Sequence, residues 1–186
     1  MPQLYKFYLL LLMILVILLC YLYIRFKQSN YQKASQHSFL KTLLNKGFWG
    51  EYKIFSLLEN LAASHQLLTN LYIPRKDGTT TEIDLLFINE KGLFVIESKN
   101  YSGWIYGDEK QKYWTQVFEN KQKFRFFNPI WQNSAHINAL KEVLPNEFTQ
   151  RLHSIIVFNN PCELKKITIS IHQSHIKKTK VTKTNN

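Results

Sequence analysis

Asp84, Glu97 and Lys99 are the residues of this chain whose types and spacing suit a chemical reaction. The acids belong to two apolar runs, 83–88 and 93–96, joined by the polar link Asn89-Glu90-Lys91-Gly92. Such a pattern predicts a β-hairpin. With a two- or four-residue loop, paired positions sum to 181, which sets Asp84 opposite Glu97 and Glu82 opposite Lys99. Side chains alternate along a strand, so all four share one face. Two carboxylates facing each other repel unless a cation lies between them. Oxygen ligands suit Mg2+ or Mn2+, and Mg2+ commonly takes one or two carboxylates together with waters and a substrate phosphate. A metal held there lowers the pKa of water and offsets charge building on a phosphate, which is the chemistry of phosphodiester cleavage. Lys99 could orient the water or neutralise that charge, and the Ser98 backbone carbonyl could complete the metal shell.

The same residues fit a plainer description. An acid in a strand is often a solvent-facing residue, and Glu82–Lys99 could be an ordinary cross-strand ion pair. A bare D-x(12)-E-x-K pattern also recurs by chance.

The flanking elements would have to place these groups. Ile54, Phe55, Leu58 and Leu61 follow Glu51 at helical spacing and mark one apolar face. Glu51 sits on that face, where a buried carboxylate needs a partner or a metal. The alternative is an acid complementing the helix macrodipole, with Gly47 and Gly50 easing the turn. Residues 67–73 read as a strand ended by Pro74, and 75–78 as a turn. Residues 103–107 and 113–118 read as aromatic-rich edge strands. Asn128-Pro129 opens a helix with Pro in its first turn, carrying Gln132, Ala135, His136, Ala139, Leu140 and Val143 at helical spacing. Residues 152–158, and then 167–171, read as further strands. Trp104, Tyr106, Trp114 and Trp131 are open to base stacking or to core and edge packing.

Residues 7–24 carry no charge and would span roughly 27 Å as a helix, close to the hydrocarbon thickness of a bilayer. Tyr5, Tyr8, Tyr21 and Tyr23 lie near the ends, where amphipathic rings favour the interface. No small-x-small cleavage site follows, which disfavours a signal peptide. An all-round apolar helix would otherwise need a larger protein to bury it. A transmembrane helix is therefore expected, after a short flank at 1–6. Lys6 stands before the span, whereas Arg25, Lys27, Lys33, Lys41 and Lys46 follow it, which places the C-terminal domain in the cytoplasm. Residues 25–45 read as a polar linker, 46–160 as the folded domain, and 161–186 as a basic, disordered tail.

The formal net charge of +11 invites a nucleic-acid reading, but its location weakens it. Residues 46–160 hold thirteen Lys/Arg against twelve acids, so the flanks carry the charge. Cys20 and Cys162 are too few for a disulfide framework or a zinc site.

Taken in order, Lys46-Gly47-x-x-Gly50-Glu51, Thr81-Glu82-Ile83-Asp84, Gly92-Leu93-Phe94-Val95-Ile96-Glu97-Ser98-Lys99-Asn100-Tyr101 with Gly103, Trp114, Asn128-Pro129 and Gln132 resemble the nuclease-related domain family. That family is a branch of the PD-(D/E)-x-K nuclease superfamily. The resemblance covers about residues 46–158. It implies an α/β fold, a restriction-endonuclease-like mixed sheet flanked by helices, with Mg2+-dependent nuclease chemistry at Asp84, Glu97 and Lys99. Glu51 and Gln132 become additional site residues on helices flanking the sheet. Ser98 departs from the pattern, standing where the family usually has an apolar residue. The implied partner is DNA, or else RNA, with no small-molecule cofactor. The competing function is a non-catalytic module of the same fold that tethers nucleic acid or protein to the membrane. A third is a structural membrane protein whose basic flanks hold anionic lipid.

Overall fold

The computed structural model describes residues 2–159, 162–169 and 175–179. The hairpin register is as expected. Strands β1 (His65–Pro74), β2 (Thr80–Asn89) and β3 (Gly92–Lys99) form an antiparallel meander, and β2 pairs with β3 from Asn89↔Gly92 to Leu85↔Ile96. Three strands from the end of the chain and one long excursion complete the sheets. β7 (Leu152–Asn159) adds parallel to β3, and β9 (His175–Thr179) parallel to β7, giving the order β1-β2-β3-β7-β9.

The excursion forms a second mixed sheet. Strands β4 (Gly103–Asp108), β5 (Tyr113–Val117), β6 (Lys123–Phe127) and β8 (Cys162–Thr168) lie in the order β6-β5-β4-β8. The expected edge strands are thus a separate layer. Strand β6, Lys-Phe-Arg-Phe-Phe, is absent from the expected elements although it alternates polar and aromatic residues over its first four positions, a run too short to stand out by itself. Gly107 lets the layer close, since a Cβ there would fall 2.1 Å from the Trp114 ring. Trp114 is fully buried with Ile105, Ile156 and Phe158, so it is a core residue and unavailable to bases.

Helices cover both faces of the first sheet, making the protein mixed α/β as expected. On one face lies α4 (Lys46–Leu58), whose N-cap Asn45 side chain accepts from the Gly47 and Phe48 N–H groups. Tyr52, Ile54 and Phe55 pack on Leu85, Phe87, Ile96 and Val157. The helix stops at Leu58, so Leu61 lies beyond it and is exposed. On the other face lies α5 (Pro129–Val143), capped by the Asn128 side chain and contributing Leu140 to a cluster with Ile83, Leu86, Leu93 and Val95. A short α6 (Asn146–Thr149) leads into β7.

The N-terminal apolar helix is as expected, whereas the connector after it is more ordered than a polar linker. α1 (Pro2–Gln28) is long and apolar enough to cross a membrane, and none of its apolar stretch is buried against the protein. Residues 25–45 are no free linker. They form α2 (Tyr31–Ser35) and α3 (Phe39–Leu44), and Phe26 and Tyr31 are both fully buried against Tyr52 and Phe55. Aromatic packing thus fixes a segment whose average composition is polar. The expected disordered tail also contributes: Cys162 of β8 is buried in the second cluster, and β9 extends the first sheet. Its last residues, including Lys180 and Lys183, lie outside the described residues.

Losing a buried large aromatic costs about 3–5 kcal/mol. A chain beginning at residue 45 should therefore unfold at a clearly lower temperature than one beginning at residue 25. Equal midpoints in a thermal melt would show that Phe26 and Tyr31 carry no stability.

Candidate active site

The two ladders that hold β2 part company at Asp84. The β2–β3 pairing ends at Leu85↔Ile96, while β1–β2 pairing omits Asp84 and resumes at Leu71↔Ile83. Opposite Asp84, Asn70 has a left-handed φ of 52°, a conformation Asn tolerates. Strand alternation breaks here too. Leu85 and Phe87 face α4, yet Ile83 joins the α5 cluster together with Leu86. Beyond the break β3 leaves β2 and continues along β7 to Lys99↔Phe158.

Asp84 spans the resulting fork. Its carboxylate accepts a 2.8 Å hydrogen bond from the Ser98 N–H. The divergence also explains why Glu82 does not meet Lys99. Glu82 pairs with Tyr72 of β1 and is exposed, whereas Lys99 turns to Glu97 and α5.

Glu97, 2% exposed, has both oxygens engaged. Oε1 lies 2.7 Å from the Lys99 ammonium, and Oε2 lies 3.1 Å from Nε2 of His136. Lys99 also donates to Oε1 of Gln132 at 2.9 Å. On its far side, Nδ1 of His136 lies 2.7 Å from the Thr81 hydroxyl, which accepts from Arg75 at 2.8 Å. The donor inventory orients this chain. A carboxylate only accepts, so Nε2 carries a proton; Arg75 only donates, so the Thr81 hydroxyl proton is free for Nδ1. His136 lies one helical turn beyond Gln132, so the i, i+4 spacing is the sequence signal that puts it on the site-facing side of the helix.

Glu51 approaches from the α4 side. It is buried, and the Tyr31 hydroxyl lies 3.3 Å from its Oε2 and equally from the Phe48 carbonyl. Tyr31 comes from the connector, which no local pattern links to Glu51. Ser98 points the same way, its hydroxyl accepting from Asn159 at 3.3 Å. A Cβ on Gly50 would sit 2.8 Å from the Asn100 Cβ and 3.1 Å from the Ser98 hydroxyl, so α4 rests directly on this end of β3. A small residue at 98 fits that contact.

Asp84, Glu97, Ser98 and Lys99 of the hairpin, Glu51 of α4 and Gln132 of α5 are therefore brought into one neighbourhood. Its electrostatics are unbalanced. Burial, then the charges of Glu97 and Glu51, push the Asp84 carboxyl well above the usual range. Burial also lifts Glu51 to about 7, with Glu82 and Glu97 adding to the rise and the Tyr31 hydrogen bond opposing it. Burial alone would raise Glu97, but His136 and Lys99 hold it below the usual range. Burial opposes the Lys99 charge, yet Glu97 keeps that ammonium more firmly protonated than usual. Among the described residues, no three His, Cys, Asp or Glu side chains form a ready-made metal cage. Asp84 and Glu97 bring carboxylates to the fork, and each carboxylate oxygen has a second lone pair.

Because folding raises the Glu51 pKa from its usual 4.5 to about 7, folding favours the protonated form. That stability is complete below pH 4.5 and lost as pH rises through 7. Glu51→Gln should match the parent at pH 4 and exceed it by about 3 kcal/mol at pH 8, measured by chemical denaturation. A pH-independent difference would contradict the burial of a titrating carboxyl there.

Residues 46–159 match the nuclease-related domain family. An uncharacterized protein of Bacillus anthracis is 37% identical over 133 residues, covering 70% of this chain and 61% of that protein. The chain thus spans about three-fifths of that relative's length. No solved structure matches it. With the match covering well over half of the sequence, the chain belongs to the nuclease-related domain family.

Proposed function

We propose that this protein is a divalent-metal-dependent nuclease that hydrolyses DNA phosphodiester bonds and is held at the membrane by α1, its domain on the cytoplasmic side. The observation that carries the reading is the charge imbalance of the fork. Glu51, Asp84 and Glu97 converge with Lys99 as the ammonium among them, an excess of two negative charges when all are ionised. Buried charge of that kind is costly unless paired. A divalent cation matches it in sign and size. Asp84, Glu97 and the Ser98 carbonyl would hold Mg2+ or Mn2+, which supplies Lewis-acid stabilisation of phosphate charge and an activated water.

The remaining roles belong to side chains. Lys99, kept protonated by Glu97 and aimed by Gln132, is a cation for a phosphate oxygen and not a proton acceptor. Glu51, titrating near neutrality, is suited to accept a proton from water at the pH where it is half ionised. His136 holds Glu97 in one orientation, as outer partners of metal-binding carboxylates do. The near-neutral charge of residues 46–160 favours a second reading, a metal-free binding module, because strong phosphate binding normally uses clustered cations.

The test uses the full-length chain in detergent with Mg2+ or Mn2+ and DNA. Asp84→Asn and Lys99→Ala should each lower cleavage by about 100-fold or more. Millimolar Mn2+ should raise the melting temperature of the parent and not of Asp84→Asn. Full cleavage by either variant would sink the residue assignments. DNA binding that ignores both metal and Asp84 would establish the module instead.

A further inference from the structure

The site opens along one side into a groove whose lining changes from polar to aromatic. Next to Lys99 a cleft of about 310 Å³ is lined by Lys46, Gly47, Ser98 and Asn100. Tyr101, Gln116 and Phe118 form its far wall, and the same three residues begin a second cleft of about 240 Å³ that ends at Phe124, Arg125 and Phe126. The two clefts are therefore one path from the ammonium to the β5–β6 hairpin. Phe124 is 54% exposed and touches Phe118 edge-on, with ring centres 5.5 Å apart. The Tyr101 and Phe126 rings lie 4.6 Å apart, half-buried beside them.

Cations lie near both ends of the path. Lys121, Lys123 and Arg125 are exposed on the hairpin, although Lys123 and Arg125 alternate to the face of β6 opposite Phe124 and Phe126, where Arg125 lies 5.2 Å over the Tyr113 ring. Lys46 is exposed at the other end beside Lys99. A larger cavity of about 690 Å³ adjoins the groove at Ser102 and Phe118, but Glu119 and Glu163 line it, which disfavours a phosphate chain. The charge pattern thus selects the path past Phe124. Exposed ring faces beside cations bind nucleotides by stacking, and stacking needs a base whose face is not already covered by its neighbours. In a duplex those faces are buried within the stack.

We infer that the groove from Lys99 past Tyr101 and Phe118 to Phe124 seats single-stranded DNA, its phosphates toward Lys46 and Lys99 and its bases against the rings. The inference rests on the nuclease reading and names the substrate class of that site: an unpaired strand or end. Phe124 is a binding residue that leaves the cleavage chemistry to Asp84, Glu97 and Lys99.

The experiment measures anisotropy of labelled oligo(dT), the matched oligo(rU) and a duplex of equal length on the full-length chain in detergent with EDTA, with cleavage assayed separately in Mn2+. Oligo(dT) should bind at least about tenfold more tightly than the duplex. Phe124→Ala should weaken that binding about tenfold with an unchanged melting temperature, and Phe124→Tyr, which keeps the ring, should restore it. Equal affinity for strand and duplex, or an indifferent Phe124→Ala, overturns the groove, and the nuclease reading stands if DNA is still cut. Tighter binding of oligo(rU) overturns the assignment to DNA. Strand binding that depends on Phe124 without any cleavage upholds the groove and overturns the nuclease reading. Failure to bind either strand or duplex overturns the groove.

Discussion

The hydrogen bond from the Ser98 N–H to the Asp84 carboxylate is what the site depends on. Where β3 leaves β2, the backbone groups of both strands lose ladder partners. A buried N–H left unpaired would cost about 1–3 kcal/mol. Asp84 meets that need with its side chain, and so cannot swing out to solvent. The same bond brings its carboxylate against Glu97, one residue before Ser98. Left-handed Asn70 keeps β1 alongside β2 across the break. The fork is thus a consequence of strand divergence, and the concentration of acid is a consequence of the fork.

Helix α5 is held on the sheet by polar groups as much as by apolar ones. Asn133 donates to the Val95 carbonyl and the Ser154 hydroxyl, His136 bonds Glu97, and Asn128 donates to carbonyls of the β4–β5 turn. Such contacts are directional, so they fix the rotation and axial position of the helix in a way that Leu140 and Ile130 alone would not. Gln132 and His136, one turn apart, then reach the Lys99 ammonium and the Glu97 carboxylate together. The second sheet serves the same end, since Asn128 ties its β4–β5 turn to the start of the helix that carries these groups.

Much of the hairpin was legible because strand register follows from apolar runs and loop length, both local properties. The sum rule held from Asn89↔Gly92 to Leu85↔Ile96, one step short of Asp84 and Glu97, and the Asn-Pro signal placed Gln132 on its helix. Glu82 shows where the rule stops. Register extrapolated past Leu85 assumes that the strands stay paired, and nothing in residues 81–84 announces their divergence. Tyr31 and Phe26 were hidden for another reason. Their neighbours are polar, and their burial depends on α4 lying across a sheet assembled from residues fifty positions away. Strand β9 escaped notice because a Lys-rich segment looks solvated whether or not its backbone completes a ladder.

The buried connector also bears on reach. A flexible 21-residue tether between a bilayer and a domain would let the domain wander by about 25 Å. Here Phe26 is docked within three residues of the last apolar position of the span, and Tyr31 touches Glu51 itself. For a chain anchored by α1 there is almost no slack. The fork would ride at one height and one tilt above the lipid, so DNA would have to come to the membrane surface to meet it, rather than be sought by a roaming domain.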